Sequence, residues 1–155
     1  MTEQENENTE RYEAALTKRT VITDNEPIKL DCELPGHKGE FVLFYRDGWT
    51  FRKLCEYEEA ETSRRTEAKV AEMIVDWSLT DGAGKPVTFA PAEIRKEISE
   101  LEKRQNTEAS IKLLKVRLET AYASTFDDLQ PSVMSFLFTA YRTAYMIAGA
   151  LPPKR

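Results

Sequence analysis

The spacing of apolar residues along the chain changes character from one stretch to the next. Ile28, Leu30 and Cys32 alternate with Lys29, Asp31 and Glu33, the period of two that sets one strand face against a core and the other in water. Phe41, Val42, Leu43, Phe44 and Tyr45 are apolar in succession, which predicts a strand covered on both faces. Pro35 and Gly36 open the intervening PGHKG with turn geometry, so residues 28–34 and 40–45 predict a β-hairpin. Asp47-Gly48 turns the chain again, and Trp49 to Glu61 predicts a helix in which Leu54 and Tyr57 lie three apart.

From Thr62 the period becomes helical. Val70, Met73, Ile74 and Trp77 predict a helix that reaches about Ser78, with Thr62 or Ser63 as its cap. DGAGKP, residues 81–86, ends it, because glycine weakens helices and Pro86 disfavours helical geometry in Lys85. A short extended Val87-Thr88-Phe89 follows, and Pro91 suits a first helical turn. Ile94, Ile98 and Leu101 form a stripe that RQNTE interrupts and that resumes at Ile111, Leu114, Leu118 and Tyr122. Two helices or one broken helix satisfy this spacing. Residues 93–126 therefore read as a charged helical insertion, either a hairpin projecting from the body or a solvated pair lying on it.

The last helix begins near Pro131, where Asp127 and Asp128 suit the positive end of its dipole. Val133, Phe136, Leu137, Ala140, Ala144 and Ile147 make one apolar stripe, and Met134, Phe138, Tyr141 and Tyr145 make a second. Few positions are left for water, so this helix is either central to the core or shared between the core and a partner.

Composition narrows the class. A chain of 155 residues, 41% apolar, suits one domain with tails. Residues 1–18 read as an acidic flexible tail with a thin apolar face for a short helix at 11–18, and 19–155 as a single α+β domain, predominantly helical. The 27 acidic and 22 basic side chains leave a net charge of -5, which gives no general attraction to nucleic acid or anionic membrane. The densest basic pairs, Arg64-Arg65 and Lys103-Arg104, lie beside glutamates that cancel their field. Val133 to Leu151 is the most apolar segment, yet it carries Ser135, Thr139, Arg142 and Thr143, so it reads as a soluble core helix and no membrane span is expected. The first residues lack the basic flank and apolar run of a secretion signal, which points to an intracellular protein. Cys32 and Cys55 read as reduced, buried thiols, and with His37 they lack the spacing of a zinc site.

The glycine-lysine pair in DWSLTDGAGKP raises phosphate binding, but Gly82 lies two residues before Gly84 and Pro86 stands where a P-loop needs a hydroxyl. A calcium loop begun at Asp76 would have Asp81 in place of its glycine and Val87 in place of its bidentate glutamate. No nucleophile signature accompanies the single histidine, and Glu58-Glu59 sits in a charge-rich helix. The residues themselves point to a non-enzymatic domain without cofactor or metal.

WSLTDGAGKP, residues 77–86, follows an amphipathic helix with an arginine pair near its start. Together with FVLFYRDGWTFR at 41–52 and the proline-basic LPPKR at 151–155, it resembles the pattern of tail assembly chaperones of long-tailed, siphovirus-like bacteriophages. The resemblance spans residues 28–91 and 127–155 and departs from the family at Arg95–Phe126, where a short connection is expected. In its terms Trp77 buries its ring against the hairpin, Leu79 continues the core, and Asp81, Gly82, Gly84 and Pro86 reverse the chain. It implies a non-catalytic assembly factor in the host cell cytoplasm, a homo-oligomer that coats the tape-measure protein and recruits tail-tube subunits. Met134, Phe138, Tyr141 and Tyr145 are then the candidate partner-binding residues. The alternative in the same biology is a structural virion component, such as a tail terminator, connector or minor capsid protein, making permanent symmetric contacts.

Overall fold

A computed structural model of the chain describes residues 26–59 and 64–150. The expected acidic tail and short helix at 1–18, the cap at Thr62 or Ser63, and LPPKR lie outside the described residues. The described part is α+β and mostly helical, with five helices and one three-stranded antiparallel sheet.

The hairpin forms as its alternation requires. Strands β1 (Ile28–Asp31) and β2 (Phe41–Phe44) pair antiparallel with Ile28 opposite Phe44 and Asp31 opposite Phe41. Gly36 and Gly39 both adopt positive φ, +86° and +89°, the left-handed geometry that a residue without Cβ enters freely. The covering of β2 is less complete than expected. Val42 and Phe44 are fully buried, whereas Phe41 and Leu43 are half-covered and Tyr45 is exposed.

The helix expected to reach Ser78 stops at Met73. Helix α1 (Phe51–Glu59) begins after Thr50, whose Oγ1 accepts the Lys53 N–H at 3.2 Å, a first-turn cap. Helix α2 (Arg64–Met73) then gives way to a third strand, β3 (Ile74–Trp77), which pairs antiparallel with β2. Trp77 lies opposite Val42 and Ile74 opposite Phe44, so the ladder shifts by one residue between them. This bulge lets Ile74 and Trp77 both point inward although they are three apart, and three apart is also a helical spacing. The sequence pattern was thus compatible with either element; the pairing available on β2 decides for the strand.

The insertion is two helices, α3 (Ala90–Glu102) and α4 (Glu108–Ser124). They share a small core of Ile94, Ile98, Leu114 and Ala121, and α4 also packs against α2, so the pair is fastened to the body. At its far turn Glu102 to Asn106 are all exposed. Arg95 makes the attachment specific: its guanidinium donates to the carbonyls of Ala71, Glu72 and Ile74 where α2 ends. It also lies beside the rings of Tyr45, Phe89 and Tyr122, with centroids 5.2, 5.7 and 5.2 Å away. The last helix, α5 (Pro131–Ala150), crosses the sheet and contributes Val133, Leu137, Ala140, Tyr141 and Ala144 to the main core.

Candidate functional site

The second stripe of α5 divides once its neighbours are in place. Tyr141, expected on a partner-binding surface, is only 1% exposed and belongs to the core. Its ring stacks on Tyr57 of α1 at 4.6 Å between centroids and meets Trp49 at 5.0 Å. The helical row groups Tyr141 with Phe138 and Tyr145, but α1 and the loop before it close over the middle of that row. Burial pushes the Tyr141 phenol well above its ordinary pKa and keeps it protonated. Met134, Phe138 and Tyr145 are half-buried, with Phe138 beside Tyr57 at 6.2 Å and Tyr145 beside Trp49 at 6.1 Å.

More of α5 faces water than its apolar stripes imply. Ser132, Ser135, Thr139, Arg142, Thr143 and Met146 are exposed, a row whose small members Ser135 and Thr139 form a low ridge. A hollow opens on each side of Thr139. One, of about 200 Å³, lies between Tyr57, Thr66, Phe138 and Arg142. The other, of about 390 Å³, lies where Leu34, Asp31 and Glu33 of the hairpin meet Ser135 and Phe136. Arg142 is fixed at the edge of the first by an ion pair to Glu58 at 3.2 Å and by the Tyr57 ring at 5.5 Å. The surface therefore offers two apolar recesses astride a ridge of hydroxyls, with carboxylates at one end and a guanidinium at the other. Such a surface can receive side chains from another helix.

The turn motif sits elsewhere and is structural. Trp77 is buried against Phe89 and Phe126, at 4.7 and 5.6 Å between centroids, and its indole N–H donates to the Val87 carbonyl at 2.7 Å. Leu79 is buried behind it. The Asp81 carboxylate accepts the N–H groups of Ala83 and Lys85 at 2.8 and 3.0 Å. Those bonds, Lys85 first, hold its pKa below the ordinary value. Gly84 takes φ +81°, and Pro86 closes the turn opposite Thr80. Gly82 lies where an added Cβ would come within 3.1 Å of the Gln130 side chain.

No family model, curated protein or solved structure matches the chain. The side chains themselves carry the functional reading, and the buried His37 is engaged in holding the fold. His37, only 4% exposed, directs Nδ1 to Glu40 at 2.9 Å and Nε2 to the Gln130 side chain at 3.1 Å. Glu40 in turn accepts both the backbone N–H and the hydroxyl of Thr80 at 2.8 and 2.9 Å. The hairpin turn, the loop after β3 and the start of α5 are joined at this one point. Hydrogen bonds to Glu40 and then Gln130 raise the His37 pKa. Burial opposes ionisation of Glu40, yet the bonds from His37 and Thr80 bring its pKa below the usual carboxylate value.

Sequence reading missed this cluster. Its four members are scattered from residue 37 to residue 130, and its one local signal is a histidine three residues before a glutamate within a turn. Cys32 is buried as expected, and burial pushes its thiol pKa up, whereas Cys55 on α1 is only half-buried. Among the described residues no group of three or more His, Cys, Asp or Glu side chains is placed to hold a metal ion, and no helix is long and apolar enough to cross a membrane.

Proposed function

We propose that the chain is a non-catalytic assembly chaperone of a long-tailed bacteriophage. It works in the host cell cytoplasm, covers apolar helical surface of the tape-measure protein and yields that surface to tail-tube subunits. The observation that supports this reading is the pair of hollows astride Thr139, with Phe138 in one and Phe136 in the other. Knobs of a client helix recur every three or four residues, and two recesses separated by a ridge of small side chains accept such a pattern. Binding of this kind is reversible, because each recess covers a modest apolar area and a polymerising tube can displace it by mass action.

Co-expression with the tape-measure protein tests the proposal. The client is expected to stay soluble with the unaltered chain and to precipitate with Thr139→Glu, which sets a charge between the recesses at an exposed position where folding is little affected. Client solubility that is the same with and without the chain rejects the reading. Mass spectrometry of purified particles separates it from a structural virion component. A chaperone is expected to be missing from the particle, and a fixed copy number would identify a permanent part.

A further inference from the structure

Helix α4 has two apolar faces, and among the described residues only one of them is packed against a neighbouring element. Ile111, Leu114, Leu118 and Ala121 point toward α3 and make the small core of the hairpin. On the opposite side Ala109, Leu113, Val116, Thr120 and Ala123 recur at intervals of four and three, the spacing of a coiled-coil seam. Leu113 is 70% exposed and Val116 65% exposed, while Ala109 and Thr120 are exposed beside them. Large apolar side chains at consecutive seam positions are unusual on a helix that already has a buried face.

The charges beside the seam select what covers it. In heptad terms Leu113 and Thr120 occupy a, Ala109, Val116 and Ala123 occupy d, Lys112 and Glu119 occupy g, and Arg117 occupies e. In a parallel pair of identical helices the g residue meets the following e residue of its neighbour. That arrangement brings Lys112 against Arg117 and is repulsive. In an antiparallel pair g faces g, and centring the pair between Leu113 and Val116 brings Lys112 of each copy against Glu119 of the other. The same register sets Leu113 on Val116 and Ala109 on Thr120, twice over, about a two-fold axis.

We infer that α4 is a self-association surface, which takes the α4 of a second copy of this chain in antiparallel register. The helix has 17 residues, about 25 Å at its ordinary rise. The contact it offers is short, so the dimer is weak and concentration-dependent. The pairing rests on α4 alone, on the side of that helix turned away from α3, and it holds whether or not the chain serves a tape-measure client.

Sedimentation velocity on the full chain, from low to several hundred micromolar, reads the equilibrium. The unaltered chain is expected to pass from monomer to dimer across that range. Val116→Glu is expected to raise the dissociation constant at least about tenfold by placing two carboxylates in the seam. Leu113→Glu serves as the second seam variant, with circular dichroism confirming that helicity is kept. Lys112→Glu and Glu119→Lys are each expected to weaken association roughly three- to tenfold, the effect of turning two exposed attractions into repulsions. Combining the two exchanges restores opposite charges and is expected to return the constant to within about twofold of the original. A chain that stays monomeric throughout overturns the inference, as does self-association unchanged by both seam variants. Lys112→Glu that tightens association would reveal parallel pairing and overturn it equally.

Discussion

Replacing His37 by glutamine tests whether the buried cluster at the hairpin turn fastens the fold. The imidazole is 5% exposed and the Glu40 side chain 14% exposed, so solvent screens their ion pair far less than it would a surface pair. Both ring nitrogens face side-chain oxygens, Nδ1 the Glu40 carboxylate and Nε2 the Gln130 amide oxygen. The protonated ring can donate to both at once, and the neutral ring to only one. Glutamine keeps an amide within reach of Glu40 but cannot span the two acceptors or supply a charge. A charge-assisted bond is lost and a neutral one weakened, while Glu40 retains its two bonds from Thr80. The expected loss is about 2 kcal/mol near pH 6, within the range for buried charged hydrogen bonds.

The pH dependence carries a definite sign. The folded-state pKa of His37 lies above the ordinary 6.5, so its contribution is full below 6.5 and fades as pH rises from there through the folded value. That of Glu40 lies below the ordinary 4.5, so its contribution is full above 4.5 and fades as pH falls through the folded value. The stability difference between the unaltered chain and His37→Gln should thus be largest between these two values and shrink on the alkaline side. Urea unfolding followed by fluorescence of Trp49 and Trp77 measures it at a series of pH values. A difference that stays constant from pH 6 to pH 9 would refute the ion pair.

Arg95 and two glycines give further expectations. Arg95→Ala removes donors from the carbonyls of Ala71, Glu72 and Ile74 and is expected to lower unfolding free energy by about 2–4 kcal/mol. Arg95→Lys should recover less than half of that in the same urea titration, because one ammonium cannot reproduce the planar fork. Gly84→Ala is expected to destabilise by about 1 kcal/mol, since φ there is +81° although the space around it is open. Gly149→Ala, inside α5 and equally open, should instead stabilise by roughly 0.5–1 kcal/mol. Thermal melts of the two variants should therefore move in opposite directions.

The fold was legible wherever one element decided its own period. Alternation at Ile28, Leu30 and Cys32 identified β1, and the stripe broken by RQNTE marked the helical stretch of α3 and α4 while leaving open whether it is two helices or one broken one. Strand β3 was not legible because its bulge places Ile74 and Trp77 on one side at a helical interval. A ladder irregularity is a property of two strands together, and the spacing of one strand cannot announce it. The anchoring role of Arg95, inside the charged insertion, is illegible for a related reason. Its neighbours on α3 are mostly charged and exposed, and the carbonyls that hold it belong to a helix end more than 20 residues earlier.

The same distinction explains what could be read of the binding surface. A helical row predicts which side chains of α5 lie together, and Met134, Phe138 and Tyr145 do share a half-covered side. It does not predict which of them a second helix will cover, and Tyr57, which stacks on Tyr141, and Trp49, whose tilted ring packs against it, remove Tyr141 from the surface. What then becomes accessible is the neighbouring row, Ser135 and Thr139, whose importance lies in being small. Small polar residues look like ordinary solvent positions in a sequence, yet between two aromatic side chains they are what leaves room for recesses. The candidate site is thus defined by the packing of α1 and the hairpin against α5. A substitution such as Thr139→Glu probes it more directly than removal of Tyr141, which would open a core cavity and confound binding with stability.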